Sequence, residues 1–163
     1  MIIKIGDFGE SKILKTKVSY TPQRGTTEFR APEMLKRLGG EKYAGHTEKV
    51  DIWAFGMVIF ELLSNPKLQL IAFRLQTCQN FFLNILSTAL EIPYRQLLTN
   101  AVDITDHIER GNRLPFPDEV LQKCQQDAQF SKIYSLFLQC TLFQAGERPT
   151  CSQIVSMLQD LNN

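Results

Sequence analysis

Between residues 52 and 60 the chain has almost no polar position, and residues 47–63, T-E-K-V-D-I-W-A-F-G-M-V-I-F-E-L-L, read as one helix around which the rest is arranged. A surface helix shows an apolar stripe, whereas a helix apolar on all sides is enclosed. Thr47 is placed to cap its start with the side-chain hydroxyl. Glu48 and Asp51 fall near the positive end of the helix dipole, where carboxylates are favoured. Four of its residues are charged and it is shorter than the ~20 residues a bilayer span needs, so a buried core helix is expected. Gly56 within it costs about 1 kcal/mol relative to Ala. Close approach of a neighbouring segment would justify that cost.

Other elements follow from the same patterning. Residues 2–5 have strand character. Residues 15–30 are polar and hydroxyl-rich and predict a long loop, of the length that is often functional. Pro32 suits the first turn of a short helix over 34–38. A second short helix over 105–110 is closed by Gly111, and Pro115 and Pro117 stop further helix. Residues 118–128 and 129–143 predict two helices, the latter with an apolar face of Phe130, Ile133, Tyr134, Phe137 and Leu138. The last helix, 151–161, places Ile154, Met157, Leu158 and Leu161 at helical spacing, with Thr150 or Ser152 as its cap.

Residues 66–91 stand apart. They are apolar-rich, and Leu68, Ile71, Leu75, Phe82, Ile85 and Leu86 are compatible with an amphipathic helix. Arg74 and several Gln and Asn argue against a membrane span. Translated non-coding sequence is the preferred reading, with an inserted helix and a membrane or partner contact as the alternatives.

Composition changes this picture little. The 163 residues suffice for one domain with a real core. The net charge of +1 gives no electrostatic footprint for nucleic acid or a membrane surface. Cys78, Cys124, Cys140 and Cys151 form no C-x-x-C pair, so packed, reduced thiols and a cytoplasmic location are expected. His46 and His107 fit no metal-ligand pattern and are expected in surface or capping roles. The N-terminus is too short for a signal peptide and reads as a strand entered partway.

Candidate chemistry begins at Gly6-Asp7-Phe8-Gly9. A carboxylate between two glycines after a strand suits a hard cation such as Mg²⁺, which takes oxygen ligands; an exposed β-turn Asp is the plain alternative. Asp7-Phe8-Gly9, a polar loop, then Ala31-Pro32-Glu33 resembles in order and spacing the activation segment of protein kinases. The 47–63 stretch, with Asp51, Trp53 and Gly56, resembles the central helix of the kinase C-lobe. Gly146-Glu147-Arg148-Pro149-Thr150 is similar to the element before that family's last helix, and the stretches at 92–94 and 111–115 also fit.

The resemblance implies a mainly α C-lobe with a short β-hairpin remnant at the N-terminus and no N-lobe. The partial kinase domain would span residues 1–163, with an atypical insertion at 66–91. It further implies that Asp7 ligates Mg²⁺ on the ATP phosphates, that Phe8 packs under the active site, and that Gly9 permits the backbone change between states. Gly25 and Thr26 would position the substrate. Glu33 would pair with Arg148, Asp51 would bond the catalytic-loop backbone, and Trp53 would be structural. Phosphorylation candidates are Thr16, Ser19, Tyr20, Thr21, Thr26 and Thr27; a phosphate there would order the loop by recruiting basic side chains.

Residues 25–33 resemble serine/threonine kinases, whereas Arg113-Leu114-Pro115, Cys140 and Arg148-Pro149-Thr150 are closer to tyrosine kinases. Together they resemble the tyrosine-kinase-like group, although Thr141 follows Cys140 where that group usually has Trp. The 163 residues contain no Gly-rich loop, no strand Lys with a helix Glu partner and no H-R-D. A fragment of a kinase that phosphorylates protein substrates is therefore expected, inactive alone and binding neither ATP nor Mg²⁺. The rival is a non-catalytic binding module. A third possibility is that no stable product exists, because an isolated C-lobe exposes an apolar face.

Overall fold

The computed structural model describes residues 6–11, 26–35, 46–64, 106–108, 110–113 and 115–160. Five helices carry the architecture: α1 (Pro32–Leu35), α2 (Lys49–Ser64), α3 (Asp118–Gln126), α4 (Ala128–Cys140) and α5 (Cys151–Gln159). Among the described residues there are also three 3₁₀ turns: Phe8–Glu10 and Thr27–Phe29 precede α1, and Ala145–Glu147 links α4 to α5. Among the described residues the fold is mainly helical, with no strand element. The strand expected at 2–5 and the segment at 66–91 lie outside the described residues.

α2 is the central element, and its most extensive contact is with α4. Thr47 Oγ1 accepts the Lys49 N–H at 3.3 Å. The Thr47 and Glu48 carbonyls take the Val50 and Asp51 N–H groups, so the helix proper starts at Lys49. Ile52, Trp53, Gly56, Met57, Ile59, Phe60 and Leu63 are buried. The expectation of enclosure on all sides is corrected: Val58 is 45% and Leu62 43% exposed. They share one face of the helix, four residues apart, and α4 covers the opposite side.

Gly56 is where α2 and α4 meet most closely. A Cβ added there would lie 2.7 Å from Thr141 Cγ2 and 2.9 Å from Cys140 Cβ. The Cys140 Cβ is fixed to the backbone, and Thr141 is held by its hydroxyl donating to the Phe137 carbonyl at 2.8 Å. Neither neighbour moves cheaply. Gly56→Ala therefore sets about 1 kcal/mol of helix propensity against an overpacking cost of about 1–3 kcal/mol. Net destabilisation is expected, measured as a lower midpoint of denaturant unfolding.

An aromatic cluster fills the interior. Phe60 of α2 is fully buried, with ring centroids 4.6 Å from Phe116 and 5.9 Å from Phe137. Phe116 meets Phe137 and Tyr134 edge-on at 5.0 and 5.2 Å, a favoured aromatic geometry. The expected apolar face of α4 is thus inward. Asp127 caps α4 by accepting the Gln129 and Phe130 N–H groups at 2.8 and 3.1 Å.

Residues 106–108 are helical, and Gly111, at φ +78°, donates its N–H to the Ile108 carbonyl as the expected C-cap. His107 Nε2 donates to the Arg113 carbonyl at 2.8 Å, a turn-stabilising role. Thr150 caps α5 through a reciprocal box with Gln153. Along α5, Ile154 is buried and Met157 partly so, whereas Leu158 is 37% exposed and does not complete the expected stripe.

Candidate functional site

The 3₁₀ turn Ala145–Glu147 delivers Arg148 in extended conformation into the body of the fold, where its side chain is 0% exposed. Nη1 and Nη2 grip Glu33 in a two-point pair, 2.7 Å to Oε1 and 2.8 Å to Oε2. Nη1 also donates to the Lys49 carbonyl at 2.9 Å, Nη2 to the Phe143 carbonyl at 3.2 Å and Nε to the Leu142 carbonyl at 2.8 Å. A guanidinium carries five N–H donors, and these five bonds use all of them. Its Cζ lies 5.1 Å from the Trp53 ring centroid, a cation–π contact. Trp53 itself is buried, with its Nε1–H unpartnered among the described residues.

The pair spans 115 positions of sequence. Glu33 sits on α1, whose flanking Ala31 and Pro32 are fully buried. The site therefore fastens the 26–35 segment to the helical body formed by α2, α4 and α5. Planar two-point pairing with a desolvated Arg is a strong, geometry-specific interaction. Its role is positional, because neither partner is open enough to take a substrate.

Lys49 joins the same cluster from the other side. Its Nζ donates to the Arg148 carbonyl at 2.6 Å and to the Pro149 carbonyl at 3.0 Å. Sequence reading missed it. The available signal was electrostatic: a Lys in the first helical turn faces the positive end of the dipole, an unfavourable placement that calls for an acceptor elsewhere.

The remaining expected site residues fall differently. Asp7 adopts a left-handed conformation, φ 59° and ψ 68°, and leads into the Phe8–Glu10 turn. Its carboxylate is exposed and makes no hydrogen bond or ion pair among the described residues. Phe8 is 66% exposed, and no described residue covers it. Asp51 is exposed, and its carboxylate makes no hydrogen bond among the described residues; the catalytic-loop backbone expected to meet it is not part of these 163 residues. Thr26 is exposed and its carbonyl accepts the Phe29 N–H at 3.1 Å. Thr27 opens the Thr27–Phe29 turn. Thr16, Ser19, Tyr20, Thr21 and Gly25 lie outside the described residues.

The described residues hold no group of three or more His, Cys, Asp or Glu able to enclose a metal. An exposed carboxylate without a partner among the described residues does fit Mg²⁺ held by one or two carboxylates together with substrate phosphate oxygens and water. Asp7 is the residue that would supply that oxygen. No described helix is long and apolar enough to cross a membrane.

Burial also perturbs groups away from Asp7. The Cys140 thiol is pushed up to about 11 by desolvation, with Arg148 pulling it down and Cys151 pushing it up. It is a packed, protonated thiol; Cys124 is half-buried against the core and Cys151 is exposed. Glu61 on α2 is raised above the ordinary glutamate range, first by burial and second by the facing charge of Glu28. Because the folded state holds this proton more tightly than the unfolded chain, the contribution to stability is present at acid pH and lost as pH rises through the folded value. Glu61→Gln should therefore raise the melting temperature at neutral pH. The gain should vanish below about pH 4, where both states are protonated.

Comparison with known proteins places this geometry. The chain belongs to the protein kinase domain family, whose model matches residues 1–158. It is similar to cyclin-dependent kinase-like 4 of Mus musculus, 29% identical over 155 residues covering 94% of this chain and 42% of the mouse protein. The chain thus spans less than half the length of that relative. Kinship with a cyclin-dependent-kinase-like protein does not support the tyrosine-kinase-like grouping that the tail suggested.

Proposed function

We propose that this chain is the substrate-facing, helical part of a serine/threonine protein kinase, whose whole transfers the γ-phosphate of ATP to protein hydroxyls. The Glu33–Arg148 pair carries the reading. It ties Ala31-Pro32-Glu33 to the helical body, joining two of the motifs through which the kinase resemblance was drawn. Asp7 would hold Mg²⁺, whose chemistry when bound is neutralisation of charge on the phosphoryl group being transferred. This chain's own residues would fix the ground on which the acceptor hydroxyl is presented: Thr26 at the head of the Thr27–Phe29 turn, and α1 behind it. Serine/threonine specificity rests on the run of residues 25–33 and on the kind of relative found. Neither the family nor that relative favours the non-catalytic module.

Kinase catalysis is largely positioning and electrostatics. With Asp7 but no Gly-rich loop, strand Lys or H-R-D, the 163-residue chain alone should give no measurable Mg·ATP-dependent transfer. The full product of the gene, incubated with Mg·ATP and a peptide library, should yield phosphoserine and phosphothreonine. Asp7→Asn should abolish that transfer. Phosphotyrosine alone, or transfer that survives Asp7→Asn, would sink the assignment.

A further inference from the structure

We propose that Lys49 is a positioning residue for the substrate-facing segment, acting through Arg148 on Glu33; its functional meaning rests on the kinase reading above. Lys49 and Arg148, 99 positions apart, each donate a side-chain N–H to the other's backbone. Lys49 Nζ bonds the Arg148 and Pro149 carbonyls, and Arg148 Nη1 bonds the Lys49 carbonyl. The ammonium thereby fixes the backbone from which the guanidinium projects, while the guanidinium fixes the first turn of α2. With its other four N–H groups taken by Glu33, Leu142 and Phe143, the guanidinium has one orientation that satisfies every donor.

Removing the ammonium frees the carbonyls at 148 and 149 and lets the Arg148 backbone relax. Glu33, through which α1 is held, then loses its alignment. No hydrogen bond or ion pair joins Lys49 to Glu33 directly, so the hydrogen-bonded path between them runs through Arg148. A lysine serving only as packing for α2 would show no such coupling.

The test uses the full 163-residue chain with Lys49→Met, Lys49→Arg and Glu33→Gln, read by amide hydrogen exchange and denaturant unfolding. Lys49→Met should speed exchange of the Met34 N–H, which bonds the Ala31 carbonyl, by about tenfold or more, the scale of a lost charge-assisted bond. Exchange within α4, at Leu136 and Phe137, should change far less. Lys49→Arg, which keeps a cation and its donors, should restore most of the protection. Glu33→Gln should shift the unfolding equilibrium by a smaller factor in the Lys49→Met background than in the wild type. Where Lys49→Met does not fold, Lys49→Gln enters the same cycle. Uniform acceleration at all amides, or strictly multiplicative effects of the two substitutions, would overturn the role. None of these readouts involves phosphoryl transfer, so the kinase reading can fail while the coupling stands, and the reverse.

Discussion

Glu33→Gln is expected to destabilise the fold by about 3–5 kcal/mol, the cost of stranding one member of a buried ion pair. The amide keeps the size of the carboxylate, so the loss is electrostatic and not a packing defect. Arg148 has no route to water: its side chain is 0% exposed and its carbonyl acceptors are neutral. The cation would stay desolvated with no counter-charge. Arg148→Met should fall in the same range for a different reason. It leaves Glu33, which is 18% exposed and partly hydrated, but strips donors from the carbonyls of Lys49, Leu142 and Phe143. The double variant should cost clearly less than the sum, because neither charge remains to be stranded. Equilibrium urea unfolding of the three variants measures this directly.

Phe60→Ala is the second large effect, at about 3–5 kcal/mol. Phe60 is 0% exposed, and its ring packs against both Phe116, in the Pro115-Phe116-Pro117 link, and Phe137 of α4. Truncation removes the contact that seats the link on α2 and leaves a cavity that two flanking prolines prevent the backbone from closing. Phe60→Leu, retaining most of the volume, should cost substantially less. Comparable losses for the two variants would mean that this site collapses readily and that the ring is not its organising element.

Much of this arrangement was legible before any coordinates. Gly56 inside an apolar helix predicted a close neighbour, and Cys140 and Thr141 are that neighbour. Thr150 with Gln153 three positions later carried the cap of α5 in the local sequence. Glu33 and Arg148 were paired only through resemblance to a family, since no local pattern links residues so far apart in sequence. The failures share a cause: hydropathy reports what a side chain prefers and not what is present to cover it. Val58, Leu62 and Leu158 are as apolar as their buried neighbours, yet no described element packs over them. Asp127 falls inside the helix expected over 118–128, whereas its carboxylate caps the start of α4. Lys49 left only an indirect trace, its unfavourable place in the first helical turn, because its acceptors are backbone carbonyls, which carry no sequence signature.

The joint between the 26–35 segment and the helical body can be observed directly at Arg148 by nitrogen-15 NMR of its side chain. If all five N–H groups are bonded and buried, the Arg148 Nε–H should give a resolved signal at neutral pH that exchanges slowly with water. That signal should be lost or strongly accelerated in Glu33→Gln. An Arg148 Nε–H that exchanges as fast as those of exposed arginines, or one indifferent to Glu33→Gln, would contradict the role given to this pair.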